Sequence, residues 1–533
     1  MAQYHIRCLS GQDRTQTITA AAGANLLAVC REHHIMLQAS CNGKGICGKC
    51  KVQVIDAAVP VTREDRRFFT EQELAAGYRL ACNIQVQDRL TVRVPQEQAE
   101  IHALGLKSPD ADREHSSSFS AQDSAGPYDL AVDLGSTTLA AALLGPDGTV
   151  VAQASAANSQ RAYGADVLSR IQASLEGHFK QLQICICKDL EQLIRDLAAQ
   201  QNGPFQIRRI AIAGNTVMLH LLRGYSCETL GQAPFTPVQL ELECLQEQEL
   251  FSEAPGCSDS VVYLLPGISA FVGADITAGL YSSGFGQIPS GQTAFFVDLG
   301  TNGELVFGGR DLLFTTSTAA GPAFEGGRLS CGVPGIPGAI SRVSYFCHKV
   351  RIQTVGQKKP CGICGSGALE AAAALLKEGL MDADGLLAPQ LFETGMELAR
   401  REDGSRICLT QSDIREIQMA KAAIRAGLEV LKKRYEKICG PAEVSHIYLA
   451  GGFGNYLLSD TAIAVGLFPA EWKERIVPAG NTSLQGAALF LTDPSCAAGM
   501  EEIRRKARSV RLESDPDFYD LYLEQMRFPV SFQ

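Results

Sequence analysis

The sequence predicts an α/β multidomain chain. A small β-grasp-like domain surrounds four cysteines, a polar linker follows, and a two-lobed α/β body completes the chain. Three observations predict it. The 533 residues are too many for one hydrophobic core. Four cysteines near the N-terminus have the spacing of an iron–sulfur loop. One strand–turn–strand phrase occurs twice, about 165 residues apart.

The bulk numbers exclude several classes. An apolar fraction of 46% and a charged fraction of 20% are ordinary for a globular protein. No run approaches the roughly 20 apolar residues of a membrane helix, and Met1 to Arg7 lacks the apolar core of a signal peptide. Eighteen cysteines in such a chain point to a reducing cytoplasmic setting rather than a disulfide framework. A net charge of −10 argues against a nucleic-acid partner. The charge is uneven: residues 1–96 hold 12 Lys/Arg against 8 Asp/Glu, a net +4, which leaves −14 on the remainder. Either the basic head docks onto the acidic body or an acidic partner, or the surface charge is simply scattered.

In the expected head domain, residues 1–96, segments 3–9 and 15–19 read as a hairpin and 26–33 as a helix. The loop Cys41-Asn-Gly-Lys-Gly-Ile-Cys47-Gly-Lys-Cys50 follows, with strands at 51–55 and 90–94. Cys41, Cys47 and Cys50 plus the distant Cys82 suit four thiolates closing on a 2Fe-2S cluster. The loop glycines let the backbone wrap closely and turn N–H groups toward the sulfurs. Such a domain carries one electron at a time. The same loop matches two nucleotide motifs, G-x-G-x-x-G over 43–48 and G-x4-G-K over 43–49. Cys50 stands where a phosphate loop needs Ser or Thr, and no βαβ unit surrounds it, so both are decoys.

Residues 97–127 are expected to be a flexible linker, because 107–127 are polar and turn-rich and cannot bury enough apolar surface to order themselves. The body divides into a lobe at 128–290 and a lobe at 291–533. Strands are expected at 128–134 and 139–144, 207–213, 293–299 and 304–308, and 444–450, with helices at 184–200 and 414–435. The repeat is Val-Asp-Leu-Gly followed by Ser or Thr, once at Asp133 and once at Asp298, with polar residues and a Leu beyond.

A hairpin ending in Asp-x-Gly-Ser/Thr can hold phosphate oxygens on its turn and Mg2+ through the Asp. Asp133 and Asp298 are therefore the expected Mg2+ residues. Gly135, Ser136, Thr137, Thr138, Gly300, Thr301, Asn302 and Gly303 are the expected phosphate contacts. Ordinary hairpin turns also favour Asp and Gly, and the repeat is what weighs against that plainer reading. A strand then enters Gly451-Gly452-Phe453-Gly454, which lets backbone lie flat against a ring or ribose. Either Asn215 or Asp275 is placed to position an attacking water, although both also read as turn or cap residues. Glu325 and Arg328 sit in a Gly-rich loop that either lines the cleft or merely connects strands. Cys361-Gly-Ile-Cys364, and Cys185 with Cys187, read first as buried small hydrophobes.

These three motifs, in this order, resemble the actin, sugar-kinase and heat-shock-chaperone ATPase superfamily over about residues 128–490. The resemblance implies a ribonuclease-H-like (actin-like) fold and ATP as ligand. With the cysteine loop in front, the whole chain is similar to the reductive activators of corrinoid enzymes. The phrases Ala213-Gly-Asn-Thr, Ser317-Thr-Ala-Ala-Gly-Pro-Ala-Phe-Glu-Gly-Gly and Gly362-Ile-Cys-Gly-Ser-Gly carry that likeness. Residues 512–533 hold no cysteine, which sets the chain apart from activators with a C-terminal two-cubane ferredoxin. The resemblance implies ATP-dependent, one-electron reduction of Co(II) to Co(I) in a corrinoid protein or corrinoid-dependent methyltransferase. It also implies a low-potential electron donor and a homodimer. Two alternatives stand beside it: a small-molecule kinase with a redox-sensing ferredoxin, and a plain electron-transfer protein.

Overall fold

The computed structural model describes residues 3–10, 14–33, 35, 37, 39, 41–94, 127–346, 349–454 and 457–529. The expected linker, Pro127 apart, lies outside the described residues. The chain forms two compact units: Met1–Ala99 with Ala157–Asp189 and His220–Phe235, and the remainder.

In the first unit the head is a five-stranded sheet in the order Arg14–Ala21, Gln3–Ser10, Leu90–Val94, Lys51–Val54, Tyr78–Leu80. Alternating residues such as Ile6, Ile18, Val52 and Val92 bury one face against the helix Leu26–Glu32. Asn25 starts that helix: its Oδ1 accepts from Leu27 N (3.1 Å), and its Nδ2 donates to Cys82 O at 2.7 Å. One side chain thus fixes the helix against the fourth cysteine. Asp65, buried in a capping box, accepts from Leu80 N at 2.8 Å and holds the strand that delivers Cys82.

In the second unit two six-stranded sheets repeat one plan. The first runs Glu243–Gln246, Val261–Leu264, Ile207–Gly214, Tyr128–Leu134, Thr138–Leu144, Val150–Ala157. The second runs Ile476–Gly480, Val444–Ala450, Thr293–Leu299, Gly303–Gly308, Leu313–Thr318, Ala507–Ser509. With Glu243–Gln246 and Ala507–Ser509 set aside, both read fifth, fourth, first, second, third in chain order. The first and second strands of each are an antiparallel hairpin, and the first pairs with the fourth in parallel. Parallel neighbours covered on both faces explain the continuous apolar runs. In Tyr128–Leu134 and in Thr293–Leu299 the motif Asp is the one residue that is not fully buried.

The helix Thr482–Thr492 returns to the first sheet, where Leu484, Ala487 and Leu491 pack with Ala131, Ala213 and Ala278. It crosses the helix Ala274–Ser282 closely. A Cβ on Gly486 would meet Ala278 O at 2.3 Å, and one on Gly279 would meet Thr482 Oγ1 at 2.8 Å. These small residues bring two helix starts to Asp133. No helix among the described residues is long and apolar enough to cross a membrane.

Candidate functional sites

The two motif aspartates occupy equivalent places. Asp133 faces Ala213 on its parallel neighbour, and Asp298 faces Ala450. The residues after these alanines, Gly214-Asn215 and Gly451-Gly452, therefore correspond. Both glycines are needed for close approach: a Cβ at Gly214 would lie 2.8 Å from Leu134 O, and one at Gly451 (φ +86°) 2.5 Å from Asp298 Oδ1.

The turns of the two hairpins meet. Thr137 Oγ1 and Thr301 Oγ1 are 3.2 Å apart, and both donate to Glu325 Oε2, at 3.3 and 2.7 Å. Gly135 N donates to Thr138 O and Gly300 N to Asn302 O, closing the two turns. Ser136 and Asn302 lie half-buried in the same turns. Gly303 is fixed by packing, since a Cβ there would meet Ile424 of the helix Gln411–Cys439 at 2.0 Å. The Gly451–Gly454 stretch forms one short helical turn rather than an open loop. Phe453 is buried and stacks on Phe324, ring centroids 5.0 Å apart, so it braces the Glu325 loop.

Carboxylates crowd this site. Asp133 accepts from Asn481 Nδ2 at 3.0 Å and Ser483 Oγ at 2.7 Å, both at the start of the returning helix. Burial still raises its pKa. Asp298 has no such donors among the described residues; burial, then Asp275, Asp133 and Glu325, push it up to about 8. Asp275, in the first turn of Ala274–Ser282, is pushed to about 7 by burial and by Asp133. Glu304, opposite Asp298 in the hairpin, rises well above the usual range through burial and the charges of Asp275 and Asp298. Like charges gathered in a partly dry site titrate upward. Asn215 caps the helix Thr216–Arg223, its Oδ1 accepting from Met218 N at 3.0 Å. It touches the Asp275 helix, for a Cβ on Gly273 would lie 2.5 Å from Asn215 Cα.

In the head, the four cysteine thiols interact in pairs, Cys41 with Cys47 and Cys50 with Cys82, and Cys41 also acts on Cys82. The Cys82 thiol is pushed up by its bond with Cys50 and by burial, while that bond draws Cys50 down to about 7. Backbone groups of Lys44, Ile46 and Cys47 serve Cys41, that of Lys49 serves Cys47, and that of Gly45 serves Cys82. Gly43, Gly45 and Gly48 all have positive φ, which is how the loop turns its N–H groups inward. Four thiols in a cradle of N–H donors fit a 2Fe-2S cluster. The CxxC pair has another role: Cys364 caps the helix Gly365–Lys377, and its Sγ donates to Ile340 O at 3.2 Å.

Three sequence profiles match the chain. They are the 2Fe-2S iron-sulfur cluster binding domain over residues 10–87, the RACo middle region over 128–287, and the C-terminal domain of RACo, the ASKHA domain, over 292–532. The corrinoid activation enzyme RamQ of Eubacterium limosum is 31% identical over 424 residues, 75% of this chain and 70% of RamQ. The chain belongs to the RACo family. A solved structure of a reductive activator for corrinoid, iron-sulfur protein matches with a TM-score of 0.68 and 26% identity, covering 99% of this chain and 98% of that one. The Co(II) methylated amine-specific corrinoid protein reductase of Methanosarcina barkeri is 26% identical over 359 residues, 61% of this chain and 63% of that protein, which is under two thirds of its length. A ferredoxin domain followed by an actin-like ASKHA body is thus the architecture of this RACo-family chain.

Proposed function

We propose that this chain reactivates corrinoid proteins, delivering single electrons that return inert Co(II) to Co(I), and that ATP makes the delivery feasible. One combination supports the reading. Thiols in an N–H cradle and two phosphate turns joined through Glu325 occur on the same polypeptide. Bound at Cys41, Cys47, Cys50 and Cys82, a 2Fe-2S cluster supplies the one-electron chemistry. The loop amides of Lys44 to Lys49 offset the negative charge there.

In the body, Thr137, Thr301 and the turn backbones of Gly135, Ser136, Thr138, Gly300, Asn302 and Gly303 hold phosphate oxygens. Glu325 gives up its two hydroxyl donors as the like-charged phosphates arrive. Asp133 and Asp298 hold Mg2+ through its waters. Asp275, with a pKa of about 7, takes the proton of the attacking water. Gly451 to Gly454 pass beneath the adenosine. A ligand shifts a conformational equilibrium only by its differential affinity for the two states. Exchanging the Glu325 bonds for phosphate bonds is one source of that difference. The partners are a corrinoid protein or corrinoid-dependent methyltransferase and a low-potential donor. Each 59 mV that the donor falls short corresponds to about 1.4 kcal/mol for one electron.

The test is anaerobic reduction of a Co(II) corrinoid protein by the reconstituted chain, followed by Co(I) absorbance. Reduction is expected only with both ATP and the low-potential donor. Equal reduction without nucleotide would refute the coupling, and phosphate transfer to a metabolite rather than water would favour a kinase.

A further inference from the structure

The first unit contains a contact that neither the cluster nor the nucleotide site requires. Arg31 ends the head helix, and its guanidinium lies 5.0 Å from the ring centre of Tyr163. Its Nη2 donates to Ala162 O at 2.5 Å. Eleven residues on, inside the cysteine loop, Asn42 Nδ2 donates to Glu176 Oε2 at 2.8 Å. Tyr163 and Glu176 belong to Ala157–Asp189, the segment that forms one compact unit with the head.

That segment is shaped for the task. The helix Val167–Ala173 runs into a kink at Ser174–His178, where Gly177 leaves helical geometry at φ +97° with open space around it. The turn presents Glu176, which Gln172 Nε2 holds through Oε1 at 2.9 Å. His178 packs against the Tyr163 ring at 5.4 Å. So the two residues that meet the head are braced by their own element.

The head's side of the contact is incomplete. Among the described residues, Arg31 Nε and Asn42 Oδ1 are buried without a hydrogen-bond partner. A buried, unpaired polar atom costs about 1–3 kcal/mol, so it calls for a partner. Burial lowers the Arg31 pKa, while Tyr163, Cys50, Cys41 and Cys82 oppose that shift, which places the guanidinium within electrostatic reach of three cluster cysteines. A cluster on those sulfurs is anionic and gains one more negative charge on reduction. Arg31 is then a counter-charge to it, held in place by Tyr163 and by Ala162 O.

We propose that Ala162, Tyr163 and Glu176 form a docking platform for the chain's own ferredoxin head, and that Arg31 is the positioning residue that ties docking to the cluster's reduction potential. Docked, Arg31 is pinned beside the sulfurs and favours the reduced cluster, which suits loading from the donor. Released, Arg31 is free to move into water, the potential falls, and the head becomes the stronger reductant, which suits delivery. The potential of such a cluster is set by nearby charge, hydrogen bonds and exposure. This rests on the four-cysteine cluster assignment made above.

The test uses the full-length, cluster-loaded chain and a charge exchange. Asn42→Asp places a like charge against Glu176, and Asp tolerates the left-handed backbone at this position (φ 50°). Glu176→Lys in that background restores an attractive pair. Glu176 is exposed, so its variants fold. Asn42→Asp is expected to increase amide hydrogen exchange in residues 41–49 and 160–178 and to lower the midpoint potential. The double variant is expected to reverse both. Arg31→Gln is expected to lower the potential with a tenfold shift in the reduction equilibrium, 59 mV for one electron. Combining it with Tyr163→Phe should add less than the sum of the two. Unchanged exchange and potential in Asn42→Asp, or no reversal in the double variant, would overturn the platform. An Arg31→Gln potential equal to the parent's would overturn the role of Arg31. Iron content and the visible spectrum of the parent report separately on the cluster assignment, and hydrogen exchange reads docking whether or not the cluster assembles.

Discussion

The two hairpins of the body share a fold and a motif but not an electrostatic setting. Asp133 is anchored by two donors from the returning helix, and its strand neighbour across the hairpin is Ala140. Asp298 has no such donors among the described residues, its neighbour is Glu304, and three further carboxylates act on it. The first aspartate is held in place by the protein; the second is held in check by repulsion. The lesson is that a duplicated motif can be split into a structural half and a responsive half by a few residues outside it. Asp298, with Glu304 beside it, is therefore the half expected to respond to a cation or a nucleotide.

The largest effect expected from this comparison is on turnover. Asp133→Asn and Asp298→Asn should each lower ATP hydrolysis by about 10²–10³, the usual loss when a group that holds transition-state charge is removed. Reduction of the cluster by a chemical donor should be unchanged in both, since the cysteines lie in the other unit. Hydrolysis retained in Asp298→Asn would remove the second hairpin from the site and with it the comparison.

Much of this was legible in the sequence. The four cysteines declare themselves because a cluster loop is local, and the paired hairpins do so because the repeat is long. The partners of Asp133 were not legible: Asn481 and Ser483 lie about 350 residues away, joined only by a helix that folds back. Glu304 was hidden for a different reason. The second turn is one residue shorter, with Leu299 opposite Gly303 where Leu134 is opposite Leu139. A gapless overlay therefore sets Glu304 on Leu139, whereas the sheet sets it on Ala140. In a strand a one-residue slip reverses the face, so an acid aimed at the site reads as one aimed away. The stacking of Phe453 on Phe324 was not legible either, because it joins two glycine-rich loops far apart in the chain.

The next effect is on Mg-ATP binding. With Asp275 near 7 and Asp298 near 8, a cation must displace protons below those values. Affinity should rise as pH increases from 6 to 8, by about tenfold per unit for each proton displaced. Calorimetry in buffers of different ionisation enthalpy counts those protons. The slope should shrink in Asp298→Asn and persist in Asn215→Ala. Glu304→Ala, which gives the second hairpin the residue of the first, should weaken the Mg2+ dependence of hydrolysis by about tenfold, the usual range for a group that orients metal ligands. A pH-independent affinity would mean that the carboxylates are ionised before the cation arrives.

The smallest effect separates the two aspartates most sharply, because it has opposite signs. Asp298 has a folded-state pKa of about 8 and an unfolded value near 4, so the folded chain binds the extra proton between those limits. Its contribution to stability is present below pH 4 and is lost as pH rises through 8. Asp298→Asn removes that loss. Without ligand the variant should be more stable than the parent at pH 8, with the gap closing toward pH 4. Asp133→Ala should instead be less stable than the parent, because it removes the acceptor that anchors the returning helix. Alanine leaves the Asn481 Nδ2 donor without its acceptor, and Asn481 cannot turn over without losing its cap, since its Oδ1 accepts from Leu484 N at 2.9 Å. One donor is left buried and unpaired, at a cost of about 1–2 kcal/mol. Thermal melts of the two ligand-free variants at pH 5 and pH 8 decide the matter. If both are stabilised, the donors do not anchor Asp133; if both are destabilised, repulsion at Asp298 is relieved some other way in the resting protein.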